Sequence, residues 1–161
     1  MYAFAVDPCR LYDDLAAALD ALIAGEADAV ANMANAAALI WQYLPDLNWA
    51  GFYRRVGDEL VLGPFQGKPA CIRIPMGRGV CGTAAASATV QCIADVHAFP
   101  GHIACDVASA SELVVPLVRD GQVVAVLDLD SPVPGRFGPE DSAGCERLAA
   151  ILAIGSNWDN H

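Results

Sequence analysis

The tripeptide Arg119-Asp120-Gly121 lies between two runs rich in β-branched residues, 112–118 and 122–130, and folds them into an antiparallel hairpin. Side chains alternate across a strand, so Val124, Val126, Asp128 and Asp130 share one face of the second run. Val123, Ala125, Leu127 and Leu129 share the other, which reads as a core face. Two neighbouring carboxylates ending a buried strand are costly unless they are paired or hold a cation. The tight turn brings Glu112, which opens the first run, to the end carrying Asp130. Three acids then converge, and mutual repulsion can keep one of them protonated as a proton donor. The reading that follows is a site for a ligand ammonium group. A metal is the second reading, and a set of solvated acids at a strand end is the third.

The rest of the chain supplies what covers that hairpin. Residues 11–23 are rich in Ala and Leu, and Gly25 breaks the pattern. In 26–44, Val30, Met33, Ala34, Ala37, Ile40, Trp41 and Leu44 recur at helical spacing as one face, and Pro45 ends the segment. Strands at 48–55 and 59–65 flank the turn signal Gly57-Asp58, and short strands are expected at 71–75 and 90–93. Gly77-Arg78-Gly79 leads into a small-residue helix over 80–87, and 94–109 is a long irregular stretch of the kind that usually carries function. After a Pro/Gly-rich connection at 131–138, Pro139 opens a last helix with Glu140 and Asp141 in its first turn. This order predicts an α+β fold. Residues 1–161 form a single domain, with a central antiparallel sheet, helices packed on one face and a ligand pocket on the other.

Composition narrows the function. The net charge of −10 argues against a nucleic-acid partner, which requires Lys and Arg for phosphates. Hydrophobic residues make up 55% of the chain, enough for a core, yet no apolar run is long enough to cross a bilayer. The opening residues lack the basic flank and apolar stretch of a signal peptide, so a cytoplasmic, reducing setting is expected.

Six cysteines in such a chain need a reason: Cys9, Cys71, Cys81, Cys92, Cys105 and Cys145. None forms a C-x-x-C pair. Cys9 and Cys145 read as small buried hydrophobes. Cys81 stands near the start of a helix, where the dipole and free N–H groups favour a thiolate. Cys105 lies in the irregular stretch, three residues after His102. Local chemistry leaves the choice of nucleophile between them open. Cys92, His97, His102 and Cys105 have spacings that match no common zinc pattern, so no metal is expected there. In the run 48–53, Trp49, Gly51 and Tyr53 share a face; they read either as ordinary core aromatics packed on a helix or as a slot, left by the glycine between two rings, that suits a small apolar or polarised group such as a thioether or sulfoxide methyl.

Taken together, several segments resemble the free methionine-(R)-sulfoxide reductases. They are Asn48-Trp49-Ala50-Gly51-Phe52-Tyr53, the run 62–71, Gly77-Arg78-Gly79-Val80-Cys81-Gly82-Thr83-Ala84, the run 95–106 and Val126-Leu127-Asp128-Leu129-Asp130-Ser131. The resemblance covers nearly the whole chain and implies the GAF fold. It implies an enzyme that reduces the free R epimer and neglects the residue inside proteins, needs no cofactor, and is recycled by thioredoxin. It places Cys105 as nucleophile, Cys71 as resolving cysteine and Cys81 as an accessory. Trp49 and Tyr53 would surround the methyl group, with Ile103 and Ala104 alongside. Glu112, Asp128, Asp130 and Asp95 would bind the ligand, with Glu112 or Asp130 assisting proton transfer. A homodimer is ordinary for this family. Cys92 is an extra cysteine in the middle region. The alternatives are a non-catalytic GAF sensor domain binding a small amphipathic ligand, and a metal-binding module.

Overall fold

The computed structural model describes residues 5–103 and 106–159. Asp7 caps a short 3-10 turn, Pro8–Arg10, that runs into helix α1, Leu11–Ile23. Helix α2, Ala29–Tyr43, starts later than the periodicity implies because the Asp28 side chain accepts from the N–H of Ala31 and fixes the cap there. Its buried stripe includes Met33, Ala36, Ala37, Leu39 and Ile40. Val30, Ala34 and Trp41, expected on that face, are exposed instead. They recur at helical spacing too, but on a flank of α2 that is turned from the core.

Strand β1, Trp49–Val56, and strand β2, Glu59–Gly67, form a hairpin with Val56 opposite Glu59. The two-residue turn has Gly57 at positive φ, as a Gly-first turn of this hand requires. Strand β3, Arg73–Pro75, adds to β2 and is shorter than the expected 71–75. Helix α3, Gly79–Ser87, and strand β4, Gln91–Ile93, come next. The second hairpin joins strand β5, Ser111–Arg119, to strand β6, Gln122–Ser131, through Asp120 and Gly121, both at positive φ. Helix α4, Pro139–Gly155, closes the fold, and the Asp141 carboxylate accepts from the N–H of Gly138 at 2.8 Å.

The strands make one antiparallel sheet in the order β3-β2-β1-β6-β5-β4. Helices α1, α2 and α4 cover one face, where Phe52, Leu113, Leu117, Leu127 and Leu129 are fully buried. Helix α3 packs on the opposite face with Val80, Ala84 and Ala85 against Tyr53, Val114 and Val126. The expectation of helices on one face therefore holds for three of them, while α3 becomes a wall of the pocket. The alternation expected along β6 also fails at its start. A register shift between Leu117 and Val118 sets Leu117 opposite Ala125 but Val118 opposite Val123. This bulge turns Val123 toward the α3 side and Val124 toward the helical core, while Val126, Asp128 and Asp130 keep the face expected of them. Among the described residues no helix is long and apolar enough to cross a membrane.

Candidate active site

The pocket opens where the ends of β1, β5 and β6 meet α3 and the loops before β3 and β5. Sheet register builds its floor: Trp49 pairs with Asp130, Gly51 with Asp128, and Glu112 with Asp130. The convergence of three acids expected from the hairpin is thus present. Glu112 and Asp128 are only 6% and 5% exposed, so their carboxyls are shielded from bulk water. Across from them, the first turn of α3 brings the Cys81 Sγ to 3.9 Å from Glu112 Oε1. On the other side His102 Nε2 lies 3.5 Å from Glu112 Oε2.

This crowding decides protonation. Burial, and then the charge of Asp130, pushes the Glu112 carboxyl up to about 8. Burial together with neighbouring carboxylates raises Asp128 and Asp130 well above the usual aspartate range. The same forces act on Cys81: burial, followed by Asp128, Glu112 and Asp130, pushes its thiol well up. The local expectation of a Cys81 thiolate favoured by the helix start is overturned, because burial and, after it, the neighbouring acids outweigh the dipole. Burial lowers His102, so its imidazole favours the neutral form. These shifts favour protons on the acids and on the thiol, and a cationic group placed among the acids favours their ionised form.

The aromatic wall differs from the expected slot. Trp49 stacks on Tyr53 with centroids 5.9 Å apart and on Phe65 at 5.2 Å. A Cβ at position 51 would overlap Phe65 and lie 2.8 Å from Trp49 Cη2. The space left by Gly51 is thus filled from β2, and it admits the close packing of Trp49 and Phe65 instead of a ligand methyl. The ligand-facing surfaces of Trp49 and Tyr53 still line the pocket. Their polar tips do a second job: Trp49 Nε1 donates to the Lys68 carbonyl at 3.1 Å, and the Tyr53 hydroxyl donates to the Cys71 carbonyl at 2.9 Å. Both aromatics thereby hold the backbone segment that carries Cys71, which is disulfide-bonded.

Ile103 lines the pocket and leans over Gly79, where a Cβ would approach its side chain to 3.2 Å. Ala104 and Cys105 lie outside the described residues. Asp95 is not brought to the site: it is exposed and caps the 3-10 turn Val96–Ala98 by accepting from the N–H of His97. A short polar side chain before a turn is as well suited to that capping role as to a ligand. Of the remaining cysteines, Cys92 is exposed on β4 with its Sγ 3.4 Å from the Phe137 carbonyl, Cys145 is buried, and Cys9 is exposed instead of packed inside. The sequence reading missed His102 as a partner of Glu112, and Phe65 and Asp106. Asp106 joins the two loops of the site: its carboxylate accepts from Asn48 Nδ2 at 3.3 Å and lies 3.8 Å from Lys68 Nζ. Its position directly after Cys105 was the available signal.

A curled antiparallel sheet with a loop-rimmed pocket on one face defines a class. The family model for the GAF domain matches residues 14–155, so the chain is a GAF domain. It is 58% identical over 143 residues to the free methionine-R-sulfoxide reductase of Escherichia coli, covering 89% of this chain and 87% of that protein. Against the Saccharomyces cerevisiae free methionine-R-sulfoxide reductase the identity is 41%, over 89% and 84% of the two chains. The crystal structure of the Neisseria meningitidis free methionine-R-sulfoxide reductase with its substrate superposes with a TM-score of 0.92 at 43% identity, covering 96% of this chain and 95% of that one. Within the GAF domains, the chain belongs to the free methionine-R-sulfoxide reductase family.

Proposed function

We propose that this chain reduces free methionine-(R)-sulfoxide to methionine through cysteine thiol chemistry. The observation that carries the reading is the convergence of Glu112, Asp128 and Asp130 beneath the Trp49–Tyr53 wall, beside the segment bearing Cys71. Its relatives in Escherichia coli and Saccharomyces cerevisiae are free methionine-R-sulfoxide reductases, which supports the substrate and the reaction.

In the proposed reaction the free α-ammonium of the substrate enters among the acids, and Trp49 and Tyr53 flank the sulfoxide methyl. The Cys105 thiolate attacks the sulfoxide sulfur. The S–O bond breaks as oxygen passes to Cys105, so that methionine leaves and Cys105 becomes a sulfenic acid. A proton held on Glu112 or Asp130 neutralises the charge developing on that oxygen, and Cys81 assists as an accessory. The Cys71 thiol then attacks the sulfenic sulfur, forming a Cys71–Cys105 disulfide and releasing water. A thioredoxin dithiol, in a cytoplasmic setting, reduces the disulfide by exchange. A homodimer is the assembly we assign to it.

The same acids explain preference for the free amino acid. A peptide nitrogen among them carries no charge and cannot draw the acids into an ion pair, a loss of roughly 2–5 kcal/mol. The test is NADPH consumption with thioredoxin and thioredoxin reductase, comparing the free R epimer, the free S epimer and the N-acetylated R compound. Turnover confined to the free R epimer is the expected result. No turnover of any of them by folded, reduced protein assigns the chain to ligand-sensing GAF domains instead.

A further inference from the structure

We propose that Cys81, Glu112 and Asp128 form a zinc site on the pocket floor, and that the bound ion excludes an amino-acid ligand. One potential ligand atom from each residue lies within 4.8 Å of the others, and all three residues are buried. In a tetrahedral zinc site with Zn–S of about 2.3 Å and Zn–O of about 2.0 Å, sulfur and oxygen ligands stand about 3.5 Å apart. Cys81 Sγ and Glu112 Oε1 are 3.9 Å apart, so that pair closes on an ion with a shift of a few tenths of an ångström, and the Asp128 carboxylate, within 4.8 Å of both, moves by up to about an ångström.

A second observation points to a ligand here. Asp128 Oδ1 is buried without any hydrogen-bond partner, on a carboxyl that lines the pocket and whose other contacts run to Glu112 and Cys81. Buried acceptors are rarely left in that state unless something else satisfies them. An ammonium group meets this need with one charge. Zinc meets it with two and takes the thiolate as well, which an ammonium does not use.

The donor set selects the metal. One thiolate with two carboxylates suits zinc better than magnesium or calcium, which take oxygen ligands alone. Three protein ligands leave the fourth position for water. His102 Nε2, 3.5 Å from the second oxygen of Glu112, stands where an outer partner would orient that carboxylate. Binding replaces the Cys81 thiol proton with a Zn–S bond and releases that proton, with any carried by the acids, to solvent. No change of oxidation state is involved.

The experiment uses the reduced full chain, stripped with a chelator, in a background carrying Cys71→Ser and Cys105→Ser so that the redox pair cannot bind metal. Cobalt(II) serves as the spectroscopic probe and zinc as its competitor. The expected result is one ion per chain, a thiolate-to-cobalt charge-transfer absorption, and displacement of that absorption by zinc and by L-methionine. Adding Cys81→Ser should abolish the absorption and weaken zinc binding at least ten-fold. Asp128→Asn, which keeps the thiol and the shape of the side chain, should weaken it to a similar degree. Zinc affinity unchanged by Asp128→Asn, or an absorption seen only when Cys71 and Cys105 are intact, overturns the proposal. These readouts are independent of turnover, so failure of the reductase reading and failure of the zinc site are distinguishable.

Discussion

At the scale of single residues, the site is built from side chains with two roles. Tyr53 presents a ring to the pocket while its hydroxyl holds the Cys71 carbonyl at 2.9 Å. Tyr53→Phe keeps the ring and the stack on Trp49 and removes only that hydrogen bond, a loss of about 1 kcal/mol. The consequence belongs to the step in which Cys71 acts. In a single turnover without reductant, methionine should form at the wild-type rate, while disulfide formation should slow several-fold. Rapid-quench measurement of methionine beside thiol counting checks this, and equal slowing of both steps would assign Tyr53 to substrate contact instead. Gly51 makes a complementary case. Any Cβ there meets Phe65 and Trp49, so Gly51→Ala must displace the aromatic wall. Overpacking of this kind typically costs about 1–3 kcal/mol, and urea unfolding should show that loss together with a fall in affinity for methionine.

At the scale of elements, helices α1 and α4 are locked by a polar cluster set into an apolar interface. The Tyr12 hydroxyl of α1 donates to Asp141 Oδ1 of α4 at 2.5 Å, and Asp141 Oδ2 accepts from Arg136 and from the N–H of Gly138. Gly144 sits against the Tyr12 ring, where a Cβ would overlap ring carbons that cannot swing aside. Alanine is favoured over glycine in a helix interior by about 1 kcal/mol. The clash reverses that sign, and Gly144→Ala should lower stability by about 2 kcal/mol or more in a denaturant titration, α1 being forced off α4. Tyr12→Phe leaves the packing and removes one buried hydrogen bond, so its loss should be smaller, about 1–2 kcal/mol. How far such elements could be read in advance depended on whether they have a local cause. Both hairpins were legible because glycine at the turns permits positive φ, and their registers then placed Glu112 beside Asp130. The bulge that turns Val124 to the core side was not legible, since one extra residue in a strand leaves no mark in a run of valines. Nor was the position of α3. Gly79–Ser87 is small on every side, so its composition favours no face, and packing against Tyr53 and Val126 decides where it lies. Phe65 and His102 reach the site from β2 and from an irregular loop, and only the tertiary fold brings them to Trp49 and Glu112.

At the scale of the whole molecule, the buried acids tie stability and ligand binding to pH with opposite signs. Glu112 titrates near 4.5 ordinarily and is pushed up to about 8 in the folded protein. Between these values the folded state holds a proton that the unfolded chain has released, so stability falls as pH rises and levels off beyond about 8. Asp128, raised by burial and then by Glu112, and Asp130, raised by burial and then by Asp128 and Asp106, act in the same direction. His102 acts oppositely. Burial lowers it below its ordinary 6.5, so its contribution is present above that value and is lost as pH falls through the folded one. Cys81, raised still further from an ordinary 9.0, keeps its proton in both states below about 8. The window from about 6.5 to 8 therefore isolates the acids, and calorimetric Tm should decline across it in the free protein. Glu112→Gln cannot ionise, and its profile should be flatter and higher at the alkaline end. Methionine reverses the slope, because its ammonium favours the ionised acids. Binding should release protons, seen as a dependence of the titration heat on the buffer's ionisation enthalpy, and affinity should rise toward pH 8. A Tm that stays level or climbs through this window in the free protein, or binding without proton release, would mean that the acids are already ionised before the ligand enters. The site would then be a preformed anionic trap instead of one that its ligand must deprotonate.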